Sequence, residues 1–378
     1  FRRKAIQVTA KVIKNKQNIS SFLKNGVPLP SFFIIRNMKP IKSKYYLYVS
    51  GACLLLIAGI FYYYFFSTFS SATTVQYLYI DDDDDIDSVY TKLTPMGKDH
   101  SIKGFRTLAR YSKYDRNIRT GRYAIAPEEK IFTVFRHIKN GMQTSLNLTV
   151  PESRTMDRLA GALSKKLMLD STTIARALTD SAFCARYDCD TATIAAMFVP
   201  NTYDIYWNVG MDKLMERMVQ EHKRFWNAER TAKAKAIGMT PLQVSTLASI
   251  VDEETANTAE KPMIAGMYIN RLRTDMPLQA DPTIKFAWKD FALRRIYHKL
   301  LDIDSPYNTY RNTGLPPGPI KVASVAGIDA VLNHVEHDYI YMCAKEDFSG
   351  THNFARTYKE HLANAAKYTK ALNERNIK

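Results

Sequence analysis

The chain has 378 residues, 46% hydrophobic and 24% charged, with a formal net charge of +16. This composition excludes a disordered or fibrous polypeptide, and the length allows two or three domains. The surplus charge would suggest a nucleic-acid binder if it covered a fold, but residues 1–44 hold eleven Lys or Arg and no acid.

The basic character therefore belongs to a tail and not to a groove, and no nucleic-acid partner is expected. Met38 is the first methionine and directly precedes Lys39-Pro-Ile-Lys-Ser-Lys44. This places residues 1–37 upstream of the true start, with a genuine cytoplasmic tail as the alternative. Tyr45 to Phe66 carries no charge, and about 20 apolar residues span a bilayer core. Tyrosines flank it at both ends (Tyr45, Tyr46 and Tyr48; Tyr62, Tyr63 and Tyr64), as in an interfacial belt. The span is too long for the core of a cleaved leader, and no A-x-A site follows. Lysines precede the span, and the next charge is Asp81, so positive-inside logic leaves the N-terminus cytoplasmic and the remainder outside.

Residues 67–75 read as a polar linker and Val75–Ile80 as a strand. The acidic run Asp81–Asp85 lacks the spacing of a calcium loop and reads as a solvated turn. Ile86–Leu93 and Phe132–Ile138 have helical spacing, and Gly121–Ile125 reads as a turn followed by a strand. No catalytic constellation appears before Val150, so a binding or spacer module is expected there. Helical patterns follow at 155–169, 171–178, 191–197 and 211–234, interrupted by an aromatic loop at Phe198–Trp207. Cys184 and Cys189 are close enough in sequence to form a disulfide in an oxidising envelope. No C-x-x-C pair and no H-E-x-x-H motif occurs. His334-Val-Glu-His337 alone does not define a zinc site, so no metal or other cofactor is expected.

Thr240-Pro241 supplies a helix start, with an N-cap residue and proline at the first position. Leu247, Ile250, Val251 and Glu254 then fall on one face, so Glu254 extends an apolar stripe while Asp252 turns away. A carboxyl on such a stripe is desolvated, which favours its protonated form and suits a general acid. The residues alone leave a second reading open, a buried acid paired with Arg271 or Arg273. A further helix is expected from Glu260-Lys-Pro262 to Arg273, then polar and aromatic residues on Pro/Gly-rich loops, as a sugar cleft requires.

The pieces LASIVDEET, AGMYINRL, LQADPT, YNTY, GLPPGPI and GTHNFARTYKEH occur in this order from Leu247 to about His361. Together they closely resemble the endolytic murein transglycosylases of the YceG-like type. The likeness continues more weakly through TGRYAI, LTVPES and FVPNTYDIYW. It implies an α+β protein with one N-terminal transmembrane helix (45–66), a small LysM-like α/β module (72–150) and a mixed α+β catalytic domain (151–378). It further implies a lytic transglycosylase of peptidoglycan at the bacterial inner membrane. Such an enzyme cuts inside nascent strands between N-acetylmuramic acid and N-acetylglucosamine and leaves 1,6-anhydro ends; wall synthases are plausible partners. The family's catalytic acid falls on Glu254, and the first acid of its pattern is Asp252 here. The substrate wall is assigned to Asn270, Arg271, Gln279, Asp281, Thr283, Tyr307, Asn308, Tyr310, His352 and Phe354. A membrane-anchored wall-binding protein without catalysis is the alternative.

Overall fold

The computed structural model describes residues 43–293 and 295–375. The expected start at Met38 and nearly all of the basic tail lie outside the described residues. The chain divides into two compact units, Phe1–Tyr62 and Tyr63–Lys378. Helix α1 (Ser43–Phe65) is apolar over Lys44–Phe65, and these 22 residues suffice by length and composition to cross a membrane. At about 1.5 Å per residue the helix matches a hydrocarbon core about 30 Å thick. It fits a single-pass anchor.

Among its described residues the second unit is α+β, with three two-stranded antiparallel sheets and a majority of helices. Its first part runs β1 (Gln76–Ile80), α2 (Ile86–Leu93), α3 (Asp99–Ser112), β2 (Gly121–Ile125) and α4 (Ile131–Asn140). Leu78 and Ile80 alternate inward from β1, and Tyr123 and Ile125 from β2. They close a core with Val89, Phe105, Ile131 and Phe135. Asp85 caps α2 by accepting from Ser88 N at 2.8 Å, so one residue of the acidic run has a structural role.

The next part repeats this order with β3 (Leu146–Val150), α5 (Met156–Ser164), α6 (Ser171–Thr179), α7 (Ser181–Ala185), β4 (Asn201–Ile205) and α8 (Met211–Phe225). The register is the same. Leu78 faces Tyr123 across the first sheet, and Leu148 faces Tyr203 across the second. In both, the tyrosine hydroxyl donates to a carbonyl four residues back: Tyr123 to Arg119 O at 2.8 Å, and Tyr203 to Val199 O at 2.6 Å. The chain thus contains a β-α-α-β-α unit twice, with α7 added in the second copy.

The aromatic loop expected at 198–207 is largely strand β4, because Tyr203 and Ile205 point inward against Leu148 and Leu146. The helix expected at 211–234 is broken. Asn227 accepts from Arg230 N at 3.0 Å and caps a separate α9 (Ala228–Ala236). The Cys184 and Cys189 thiols are free, with Cys189 Sγ donating to Cys184 O at 3.2 Å.

The last part packs α10 (Pro241–Glu254), α11 (Lys261–Arg273), α12 (Asp281–Trp288) and α13 (Val325–Leu332) around a third core. The hairpin β5 (Tyr341–Ala344) and β6 (His352–Ala355) and helix α14 (Tyr358–Glu374) complete it. The stripe expected on α10 is in fact a helix buried all round, since Val244 through Val251 are all buried. Val322 of this part sits in the core of the second repeat, and its N–H donates to Ser153 O at 2.9 Å. Gly318 allows the Gly314–Ile320 loop to close on that repeat, because a Cβ there would lie 2.1 Å from Ala192 O.

Candidate active site

Helix α10 starts from a full capping box. Thr240 Oγ1 accepts from Gln243 N, and the Gln243 amide oxygen accepts from Thr240 N at 2.8 Å. Its other end delivers three consecutive acids to three environments. Asp252 turns back into the protein and meets Lys261 Nζ at 2.5 Å, Ser324 N at 2.6 Å and Ser324 Oγ at 2.7 Å. Glu253 pairs with Arg154 at 2.8 Å and lies 3.6 Å from Lys321 Nζ. Among the described residues Glu254 has no ion pair; the Tyr268 hydroxyl donates to its Oε1 at 2.6 Å.

The alternative of a charge-paired Glu254 therefore loses its partner. Arg271 gives Nε to Ile340 O at 2.7 Å and Nη1 to Leu278 O at 2.6 Å, fixing the two loops that flank the groove. Burial pushes the Glu254 carboxyl up to about 7. The Tyr268 hydrogen bond pulls it down, the Asp281 charge pushes it up, and His352 and Lys285 pull it down. Tyr268 itself is held far above its ordinary range by burial and by Glu254, so it remains a proton donor in this contact. Glu254 keeps a partly exposed edge although dense packing surrounds its carboxyl, as expected for a group at the floor of an open cleft.

That cleft is a cavity of about 280 Å³. Of the residues assigned from sequence, Glu254, Arg271, Gln279, Asp281, Tyr310 and His352 line it. Asp281 accepts from the Tyr310 hydroxyl at 2.5 Å. His352 is held by Glu260, which accepts from its backbone N–H at 2.6 Å and contacts Nδ1 at 3.1 Å. Gln279 is in the left-handed region (φ 48°), which disfavours a side chain with a Cβ. Thr309 holds it there: its carbonyl accepts from Gln279 N at 3.0 Å, and its hydroxyl accepts from Ala280 N at 3.0 Å.

The other five assigned residues lie outside this cavity, for identifiable reasons. The Asn270 side-chain amide donates to the carbonyls of His337 and Tyr339. Thr283 is fully buried, bonded to Ala280 O and the Thr309 hydroxyl. Asn308 is also fully buried and donates to Leu301 O and Ile303 O. Tyr307 stacks obliquely on Phe286 and lines a different cavity with Arg154 and Lys321. Phe354 packs against His337 and Tyr339. His334 and His337 are tethered to the carbonyls of Val331 and Met263. Sequence reasoning missed Tyr268, Thr309 and Glu260. Tyr268 had a signal: it lies three residues before Arg271, on the same helix face.

The fold and cleft define an α+β protein with a membrane-length helix, in which two carboxyls, Glu254 and Asp281, each held by a tyrosine hydroxyl and neither in an ion pair among the described residues, face a polar, aromatic groove. Residues 78–367 match the model of the YceG-like family, and the chain belongs to that family. It is 28% identical over 299 residues to the endolytic murein transglycosylase of Bacillus subtilis (strain 168), covering 74% of this chain and 81% of the relative. It is 26% identical over 299 residues to the endolytic murein transglycosylase of Streptococcus pneumoniae serotype 2, covering 70% of this chain and 53% of that protein. The chain thus spans about half the length of the pneumococcal relative. A crystal structure of a YceG-like protein from Listeria monocytogenes aligns with a TM-score of 0.49 at 25% identity, over 77% of this chain and 99% of that one.

Proposed function

We propose that this protein is a membrane-anchored lytic transglycosylase of peptidoglycan, with Glu254 as its acid and base. The single observation that carries this reading is the contrast among the three acids of α10: two have cationic partners, and Glu254 has only a tyrosine hydroxyl. A carboxyl with a value of about 7 holds its proton at neutral pH for part of the time and can give it to a leaving oxygen.

In the proposed reaction Glu254 protonates the oxygen between N-acetylmuramic acid and N-acetylglucosamine. The C–O bond at the muramic anomeric carbon breaks as that sugar's own C6 hydroxyl attacks, and the Glu254 carboxylate takes the C6 proton. The products are a free N-acetylglucosamine end and a 1,6-anhydro end, and the enzyme returns to its starting state. Because the nucleophile belongs to the substrate, no second carboxylate has to activate water. Asp281, tied to Tyr310, serves in this reading to keep the proton on Glu254 and to orient sugar hydroxyls. The names of the relatives support the choice of substrate. The helix at 43–65 would anchor the enzyme in the inner membrane, with the N-terminus cytoplasmic and the cleft outside. Residues 72–150 would act as a LysM-like glycan-binding module, cutting would fall inside nascent strands, and wall synthases would be neighbours.

Glu254→Gln should abolish release of anhydro-ended muropeptides from purified sacculi, read by mass spectrometry, while the far-ultraviolet spectrum stays unchanged. Undiminished release from this variant would refute the assignment. Label from ¹⁸O water in the new ends of the wild-type products would replace it with hydrolysis.

A further inference from the structure

The two β-α-α-β-α repeats turn the outer faces of their sheets toward a common cavity of about 610 Å³, larger than the one at Glu254. From the first repeat, Tyr77 and Tyr79 point outward from β1, opposite the buried Leu78 and Ile80. From the second, Trp207 reaches across, and its ring meets that of Tyr79 edge-on at 5.0 Å. Arg122 lies over the Tyr77 ring at 3.6 Å and is fixed by donating to Ser145 O. Lys165 and Lys166, exposed at the end of α5, complete the wall. The seam between the repeats is held by hydrogen bonds. Thr144 N donates to Arg122 O at 2.7 Å, and the Asn208 amide donates to Thr120 O at 3.1 Å.

Aromatic rings at the edge of a core are common, but two exposed tyrosines and a half-buried tryptophan facing one cavity beside three cations are harder to explain as packing. Neither lysine has an ion-pair partner among the described residues, and the only acid in the cavity wall is Asp204. Aromatic faces suit the apolar faces of pyranose rings, and unpaired cations suit carboxylates. One polymer presents both at a regular spacing: a glycan strand whose muramic residues carry lactyl-linked peptides with free carboxylates. We infer that the cavity between the repeats is a second, non-catalytic binding site for peptide-bearing glycan. This rests on peptidoglycan being the substrate but not on the role of Glu254.

The test uses the full-length chain in detergent with Glu254→Gln throughout, so that strands are not cut, and measures cosedimentation with purified insoluble sacculi. Tyr79→Ala with Trp207→Ala should weaken binding about tenfold. Lys165→Glu with Lys166→Glu, at exposed positions that leave the cores intact, should also weaken it, and should remove most of its dependence on salt. Sacculi whose stem-peptide carboxylates are converted to amides with a carbodiimide and ammonia, which keeps the cross-links and the insolubility, should bind the parent protein more weakly and should no longer distinguish the lysine variant from it. Equal binding by the parent and both double variants would overturn the site. A wild-type chain that releases no anhydro product while these binding differences persist would refute the enzyme and leave the site standing.

Discussion

The two hydroxyls nearest the acids of the cleft are tyrosines, and each has one carboxyl partner: Tyr268 with Glu254 and Tyr310 with Asp281. Removing the Tyr268 hydroxyl has two separable effects. Its bond lowers the Glu254 value, so Tyr268→Phe should raise that value further above about 7. The proposed reaction needs protonated Glu254, so on that reading the alkaline limb of kcat against pH should move to higher pH. The loss of one orienting hydrogen bond should also lower kcat at the plateau by about tenfold. A pH profile of strand cleavage checks both effects, and an unmoved limb would contradict the assigned contact. The place of Glu254 in the cleft was legible in the sequence because its desolvation depends on a neighbourhood that apolar spacing and the surrounding motifs announce. Thr283 and Asn308 were misplaced for the converse reason: a polar side chain in a loop motif serves backbone carbonyls as readily as sugars, and only the fold decides which.

At the scale of elements, the Asp252–Lys261 pair pins the C-terminus of α10 to the N-terminus of α11, and Ser324 adds the first turn of α13. Gly327 belongs to the same joint, since a Cβ there would lie 2.4 Å from Asp252 Oδ1. Lys261→Met would strand a buried carboxylate and should cost about 3–5 kcal/mol, measured by urea unfolding, the typical cost of breaking a buried pair from one side. It should also reduce cleavage, because the same helix ends present Glu254. Adding Asp252→Asn to that variant should recover part of the lost stability by removing the uncompensated charge. The long helices around this joint were readable from caps and periodicity. Strand β4 was not, because Pro200 and the aromatic residues beside it look like a loop, and its inward alternation acquires meaning only opposite β3. The duplication was hidden similarly. It is carried by register and by one tyrosine hydroxyl bond in each copy, while the extra helix α7 displaces the second copy's later elements along the chain.

At the scale of the whole molecule, holding Glu254 in a cleft makes stability depend on pH. Its folded value, about 7, exceeds the ordinary value of 4.5. Between those two values the unfolded chain binds fewer protons than the native one, so stability falls as pH rises through that window and the loss is complete above about 7. A glutamine cannot ionise. Glu254→Gln should therefore be more stable than the wild type at pH 8 by about 2 kcal/mol, after allowing for solvent at the partly exposed edge, and the difference should shrink toward pH 5. Urea midpoints at the two pH values check this, and a wild type that is the more stable at pH 8 would contradict it. The direction of α10 bears on the same balance. The aligned peptide dipoles of a helix gather partial negative charge at its C-terminal turn, and that turn is where Glu254 stands. The backbone itself thus resists a carboxylate there, so running the chain toward the cleft in this sense, and not the reverse, recruits fourteen residues of main chain to the keeping of one proton.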